Sequence, residues 1–263
     1  MPVTSVVLGT YNRLSFLKLT INSIRQELKN FPHEIIVVDG GSTDGTLKWL
    51  VKQKDIITIV QHNRGEWRGK WIERRSWGYF MNLGFKSAHG KYICMLSDDC
   101  LVVPGAIING YNLFESELAK GKKVGAVAFY WRNWPEQKKY WVGLTFGNKI
   151  FVNHGLYLRE ALENVGYIDE ETYNFYHADG DLCLKLSQRG HVCIKSPDSY
   201  IEHYSHVNEK VRMFNLEKQK EDWKAYENQW SRIYSKPGKD WIEKEFEDPT
   251  KTAIKFKKRW FKL

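Results

Sequence analysis

Four short apolar runs in the first hundred residues, each followed by a polar cluster, leave few folds open to this chain. Val3 to Gly9 and Glu34 to Asp39 are rich in β-branched residues, the second containing Ile-Ile-Val-Val, and Ile56 to Val60 and Tyr92 to Leu96 repeat the pattern. Unbroken apolar runs of this length predict strands buried on both faces, as in parallel sheets. Helical spacing fills the gaps. From Ser15, residues Leu17, Ile21, Ile24 and Leu28 share one face; Leu47, Leu50 and Val51 follow a Gly-Gly-Ser-Thr-Asp-Gly break; and Ser76 to Ala88 forms a third helix. Residues 62–75 read as a charged loop. The order predicts an α/β fold, a Rossmann-like and mostly parallel central sheet with helices on both faces. Ligands of such sheets bind beyond the carboxyl ends of the strands, where the polar clusters fall.

The second half is more mixed. Val124 to Tyr130 and Lys149 to Asn153 read as strands, Asp179 to Gln188 as a helix, and Val192 to Lys195 as a strand closing on Ser196-Pro197. Asn208 to Tyr234 is polar and helical, and a Lys-Pro-Gly break at 236–238 sets off a tail. A chain of 263 residues suits one domain, or one with an appendage. With 42% hydrophobic and 27% charged residues, wholesale disorder and a collagen-like fibre are excluded. No apolar run approaches the ~18–20 residues of a spanning helix, which excludes a membrane channel. The sequence opens Met-Pro-Val and enters a strand with no secretory pattern, and Cys94, Cys100, Cys183 and Cys193 show no Cys-x-x-Cys spacing. Neither a zinc site nor a disulfide framework is expected, and the location expected is a reducing cytoplasm.

The net charge of +9 suggests nucleic acid until it is located. Lys251, Lys255, Lys257, Lys258, Arg259 and Lys262 carry six of those charges, leaving +3 for the first 250 residues. No nucleic-acid partner is expected of so neutral a body. Aromatic residues at 14%, with eleven Trp, serve base stacking, packing against sugar rings, or plain core filling.

Five clusters carry candidate chemistry. Gly9-Thr10-Tyr11-Asn12-Arg13 follows the first strand; its hydroxyl, aromatic face, amide and guanidinium can hold a base and phosphate, while Asn12 and Ser15 equally suit a turn and helix cap. In Asp39-Gly40-Gly41-Ser42-Thr43-Asp44-Gly45 the carboxylate can accept from a base or ribose, the glycines admit a ligand close to the backbone, and Ser42 can cap the next helix. Ser97-Asp98-Asp99 sets two acids at a strand end. A diphosphate beside them would repel both, so the pair implies a bridging divalent ion, and oxygen ligands favour Mg²⁺ or Mn²⁺ over zinc. A helix start before Pro104 would also welcome acids, but Pro104 lies five residues beyond Asp99. His177-Ala178-Asp179-Gly180-Asp181 offers a helix cap or, if it opens into a cleft, a general base. Glu202-His203-Tyr204-Ser205-His206 offers a metal-binding or a structural histidine.

Taken in order, Thr-Tyr-Asn-Arg, Ile-Ile-Val-Val-Asp-Gly-Gly-Ser-Thr-Asp-Gly-Thr, Asn82-Leu-Gly, Ala88-His-Gly-Lys-Tyr-Ile, Leu-Ser-Asp-Asp, Gly166-Tyr-Ile-Asp169-Glu and Asp179-x-Asp181-Leu resemble the family 2 glycosyltransferases of GT-A fold. The resemblance covers about residues 3–206. It implies an enzyme that moves a sugar, usually with inversion, from a nucleotide-diphospho-sugar, UDP first among the nucleotides, to a hydroxyl of a glycan or lipid-linked acceptor in cell-surface polysaccharide synthesis. Thr10, Tyr11, Asn12, Arg13, Asp39, Gly41, Ser42, Asn82 and Asp98 are the donor-binding residues it implies. Asp99 and His203 become ligands of Mn²⁺ or Mg²⁺, and Asp179 the base that deprotonates the acceptor.

Four positions depart from the family pattern. Ser97 stands where an Asp is common, Gly40 replaces a frequent second Asp, and Ala178 a frequent Glu. Met81 precedes Asn82 where relatives often carry Arg, which shifts a phosphate or sugar contact to Lys70, Arg74 or Arg75. A non-catalytic carbohydrate- or nucleotide-binding module of the same fold is the alternative.

The expected organisation is a catalytic domain over 1–206, a helical extension over 207–235, and a basic amphipathic tail over 236–263. On a helical wheel Ala253, Ile254, Phe256, Trp260, Phe261 and Leu263 oppose Lys251, Lys255, Lys258, Arg259 and Lys262. That is the pattern of an interfacial helix on an anionic bilayer, and would place the protein peripherally on the inner face of the membrane. A helix packed on the body would show the same residues.

Overall fold

The computed structural model describes residues 1–63, 66–204 and 209–245. Residues 246–263 of the expected tail and the Ser205-His206 pair lie outside them, whereas the tail's first ten residues are described and include a strand, Trp241–Lys244, paired with residues 140–143. The first half runs β1 (Thr4–Thr10), α1 (Leu14–Glu27), β2 (His33–Asp39), α2 (Thr46–Leu50), β3 (Ile56–Val60), a small hairpin of β4 (Glu66–Trp67) and β5 (Lys70–Trp71), α3 (Trp77–Lys86) and β6 (Tyr92–Ser97). Strands β6, β1, β2 and β3 lie side by side and all parallel. Successive side chains on β1 point to opposite faces. Val6 and Leu8 pack with Leu17 and Ile21 of α1, while Val7 packs on the other side with Phe85 of α3. Burial on both faces is why β1, β2 and β6 read as unbroken apolar runs, whereas β3, at the sheet's edge, leaves Ile57 and Val60 exposed.

Then come β7 (Cys100–Val102), α4 (Ala106–Ala119), β8 (Val124–Asn133), β9 (Tyr140–Thr145), β10 (Lys149–Ile150), β11 (Gly155–Leu158) and α5 (Arg159–Val165). After them come α6 (Ala178–Gln188), β12 (Val192–His203), α7 (Glu209–Trp230) and β13 (Trp241–Lys244). β11 runs antiparallel to both β6 and β8 and joins the two halves into one sheet in the order β10-β9-β8-β11-β6-β1-β2-β3. β12 lies parallel to β8 and antiparallel to β7. Among the described residues no helix is long and apolar enough to cross a membrane.

Several boundaries differ from the sequence reading. The strand expected over Lys149 to Asn153 stops at Ile150, and Asn153 beyond it lines the cleft. The strand expected to end at Lys195 continues to His203, absorbing Ser196-Pro197 as an irregularity between Ser196 and Tyr200. The loop expected over 62–75 contains the β4–β5 hairpin. The helical extension is α7, which packs Tyr226 and Trp230 into the core beside Leu182 of α6. Gly180 permits that contact, since a Cβ there would sit 2.6 Å from the Tyr226 hydroxyl oxygen.

Candidate active site

A cleft of about 430 Å³ opens at the carboxyl ends of β1 and β6. Thr10, Tyr11 and Arg13 line it from the end of β1, Asp98 and Asp99 from the end of β6, Asp179 from the first turn of α6, and His203 from the end of β12. Seven of the residues singled out from sequence therefore meet in one hollow.

The acids at the end of β6 are held by cations and hydroxyls. Thr10 Oγ1 donates to Asp98 Oδ2 at 2.7 Å. Arg13 Nη1 bridges the pair, 3.0 Å from Asp98 Oδ1 and 2.6 Å from Asp99 Oδ2. His203 Nε2 lies 3.1 Å from Asp99 Oδ1. Burial pushes the Asp98 carboxyl up to about 6 against the pull of Arg13. Burial works the same way on Asp99, but the charges of His203 and Arg13 outweigh it and hold that carboxyl below the usual range. Two adjacent acids thus divide into one that keeps its proton more readily and one that is firmly anionic.

Asp179, which lines the same cleft, is the first acid of α6. Its Oδ1 accepts from Gly180 N at 2.9 Å and its Oδ2 from Asn153 Nδ2 at 3.2 Å. Burial raises its pKa, partly offset by the Asn153 bond, which moves a carboxylate toward the range of a useful base. Asp181 points the other way. It is fully buried and takes bonds from Trp230 Nε1, Gln229 Nε2 and Lys185, so it ties α6 to α7.

The remaining candidates shape the loops behind the cleft. Asp39 is fully buried, and its Oδ1 accepts from Gly41 N and Ser42 N at 2.9 and 2.8 Å. Its Oδ2 is buried with no partner among the described residues, the kind of acceptor that calls for a donor from elsewhere. Gly41 has φ +90° and a Cβ there would meet His62 Nδ1 at 2.5 Å, so only glycine fits. Asn12 N donates to Ser42 Oγ, and Asn12 Oδ1 accepts from Thr43 N, clipping the two strand-end loops together. Asn82 Nδ2 donates to Ile168 O and Glu170 Oε1. Asn12, Asp39, Gly41, Ser42 and Asn82 do not line the cleft, whereas Arg74 and Arg75 do.

Sequence reasoning missed two features. Asp222 of α7 is fully buried and accepts four bonds, Oδ1 from Asn174 N and Nδ2 at 2.8 and 3.0 Å, and Oδ2 from Phe175 N and Tyr176 N at 2.8 Å each. The segment it grips leads directly to His177 and Asp179, and the His177 ring stacks on Tyr226 of α7 with centroids 5.2 Å apart. The extension is therefore part of the site. The second feature is a cluster that cysteine spacing did not suggest: Cys100, His154 and His203 bring ligand atoms within 4.8 Å of one another. Cysteine spacing could not reveal it, because the three residues arrive from separate segments.

An α/β sheet with a polar cleft at its strand ends, lined by an acidic pair and a half-buried carboxylate, defines the fold class as GT-A. The family model for Glycosyl transferase family 2 matches residues 5–161, and the chain belongs to that family. Asp179 and His203 lie beyond the matched segment. An uncharacterized glycosyltransferase of Mycoplasma genitalium is 27% identical over 192 residues, covering 63% of this chain and 60% of its own length. The chondroitin synthase of Pasteurella multocida is 27% identical over 104 residues, 38% of this chain and 10% of that protein. The chain thus spans from a tenth to three fifths of the length of these relatives. Among solved structures, a mannosyltransferase from Pyrobaculum calidifontis in complex with GDP-Man and Mn²⁺ superposes with a TM-score of 0.62 at 18% identity, covering 98% of this chain and 70% of that one. That likeness shows the GT-A fold.

Proposed function

We propose that the protein is an inverting glycosyltransferase that moves a sugar from a nucleotide-diphospho-sugar to a hydroxyl of a glycan or lipid-linked acceptor in cell-surface polysaccharide synthesis. The observation that carries this reading is that Asp98, Asp99, His203 and Asp179 all line a single cleft. In-line displacement needs a base where the acceptor enters and charge neutralisation where the diphosphate leaves.

Asp179 is the base in this reading: it takes the proton of the attacking hydroxyl, and Asn153 and the Gly180 amide hold its carboxylate in place. Tyr11 offers a face for the base, and Asp39, whose buried Oδ2 has no partner among the described residues, directly precedes the cleft-lining Gly40 in the chain. Arg74 and Arg75 stand where phosphate or sugar contacts are needed.

The residues fit a hard divalent cation. Neighbouring ligands on an octahedral ion with bonds of about 2.1 Å lie about 3 Å apart, and Asp99 Oδ1 and His203 Nε2 are 3.1 Å apart. His203 Nδ1 lies 3.2 Å from Asn133 Oδ1. A proton donated there leaves Nε2 with its lone pair free for a metal. Asp99 and His203 would hold Mn²⁺ or Mg²⁺, with Asp98 adjacent. When bound, such an ion neutralises charge developing on the departing diphosphate.

The test is a thermal-shift screen against UDP-, GDP- and dTDP-sugars with and without Mn²⁺. UDP is the nucleotide expected first, and a ligand that binds the folded state alone must raise Tm. A Tm rise that needs both Mn²⁺ and one nucleotide class, followed by transfer to an acceptor, supports the reading. Donor binding with neither hydrolysis nor transfer would make the protein a binding module instead.

A further inference from the structure

Behind Asp99 stands a second set of ligand atoms with different chemistry. Cys100 of β7 and His203 of β12 are direct partners across an antiparallel ladder, so their side chains leave the sheet on the same face. His154 comes from a third segment, fixed by the bond from Phe129 N to its carbonyl oxygen. Its ring centroid is 5.5 Å from that of His203, and its Nε2 is 3.9 Å from Cys100 Sγ. Cys100 and His154 are fully buried. That sulfur is the polar partner of the His154 ring among the described residues, and His154 Nδ1 has none. A buried imidazole so poorly satisfied needs an explanation, and the proposed transfer reaction uses neither side chain.

We propose that Cys100, His154 and His203 form a site for a thiophilic divalent cation of the zinc type, and that its occupancy withdraws His203 from Asp99. A tetrahedral zinc with bonds of about 2.3 Å to sulfur and 2.0–2.1 Å to nitrogen places those atoms about 3.5 Å apart. The observed 3.9 Å between Cys100 Sγ and His154 Nε2 needs only a small contraction. Sulfur with two imidazoles selects zinc over Mg²⁺ and Mn²⁺, while the carboxylates of Asp98 and Asp99 favour the hard ions. His203 and Asp99 line the cleft, which gives a cation its way in. Binding replaces the thiol proton by the metal and releases that proton to solvent. With His203 Nδ1 engaged by Asn133 Oδ1 at 3.2 Å, Nε2 is the nitrogen left to coordinate, and its single lone pair serves the hard ion at Asp99 or the soft ion at Cys100 and His154, never both. Zinc occupancy therefore weakens the hard-ion site. This second half rests on the glycosyltransferase reading, whereas the site itself does not.

The experiment uses the full chain with Co²⁺ in place of zinc. A thiolate-to-cobalt charge-transfer band in the near ultraviolet is expected, saturating at one equivalent and erased by one equivalent of Zn²⁺. Cys100→Ser should abolish the band and His154→Gln should weaken it, with the folded state checked by Tm. No band in the folded wild type overturns the site, and a band that survives Cys100→Ser overturns its assignment. The coupling is read by electron paramagnetic resonance of Mn²⁺ bound with UDP. One equivalent of Zn²⁺ should release Mn²⁺ from the wild type, and Cys100→Ser should need at least tenfold more zinc. Equal release from both proteins overturns the sharing of His203. If Mn²⁺ and UDP do not bind at all, the hard-ion reading and the coupling fail together while the cobalt spectrum still decides the soft site.

Discussion

Asp222→Ala removes one carboxylate far from the reacting atoms, yet the structure makes it costly to catalysis. The variant strands four donors: the amides of Asn174, Phe175 and Tyr176 and the side-chain amide of Asn174. A hydrogen bond to a charged group contributes roughly 1.5–3 kcal/mol, and a buried donor left unmade costs about 1–3 kcal/mol. Asn174 is exposed and Phe175 and Tyr176 half-buried, so water repairs part of the loss. A net destabilisation of about 3 kcal/mol follows, which for a chain of this size lowers Tm by about 6–12 °C. The gripped segment leads straight into Asp179, and a shift of about 1 Å in a catalytic group costs on the order of 100-fold in rate. Initial-rate kinetics at saturating donor, below the variant's Tm, should therefore show kcat down about 100-fold with donor KM nearly unchanged. Lys224→Ala, an exposed change on the same helix, should leave both alone. An Asp222→Ala enzyme with wild-type kcat would refute the claim that α7 positions the base.

Two further outcomes follow from the site and the tail. Because burial raises the Asp179 pKa, a base that works ionised loses activity as pH falls through a value above the usual carboxylate figure of about 3.9; a pH profile of kcat with its acidic limb at or below that figure would contradict the assignment. The amphipathic pattern of residues 251–263 predicts salt-sensitive sedimentation with anionic vesicles, which deletion of those residues should remove; equal sedimentation of the truncated chain would end the membrane reading.

Most of the parallel half of the sheet was legible because β1, β2 and β6 are buried on both faces, so Val6, Val7 and Leu8 form an unbroken apolar run. β11 escaped notice because four residues, Gly155 to Leu158, are too few to show a period. α4 was missed because Asn109 and Gly110 interrupt it with poor helix formers, although the amides of Gly105, Ile107 and Ile108 at its start are capped by Glu27 of α1 from a distance. The strand-end clusters were legible as candidates, but sequence could not separate cleft-lining Thr10, Arg13 and Asp99 from Asn12, Ser42 and Asn82, whose bonds serve the loops. Polar residues of the same type do both jobs, and only the path of the chain decides. Asp222, Asn153 and His154 carry no local pattern at all; their significance arises where distant segments meet.

The account turns on Asp179 and Asp99 doing different work in one cleft. The most direct measurement compares donor binding by calorimetry with sugar transfer in Asp179→Asn. The expected result is Mn²⁺-dependent donor binding within a few-fold of wild type and transfer reduced to background. Transfer at the wild-type rate in that variant would contradict the account.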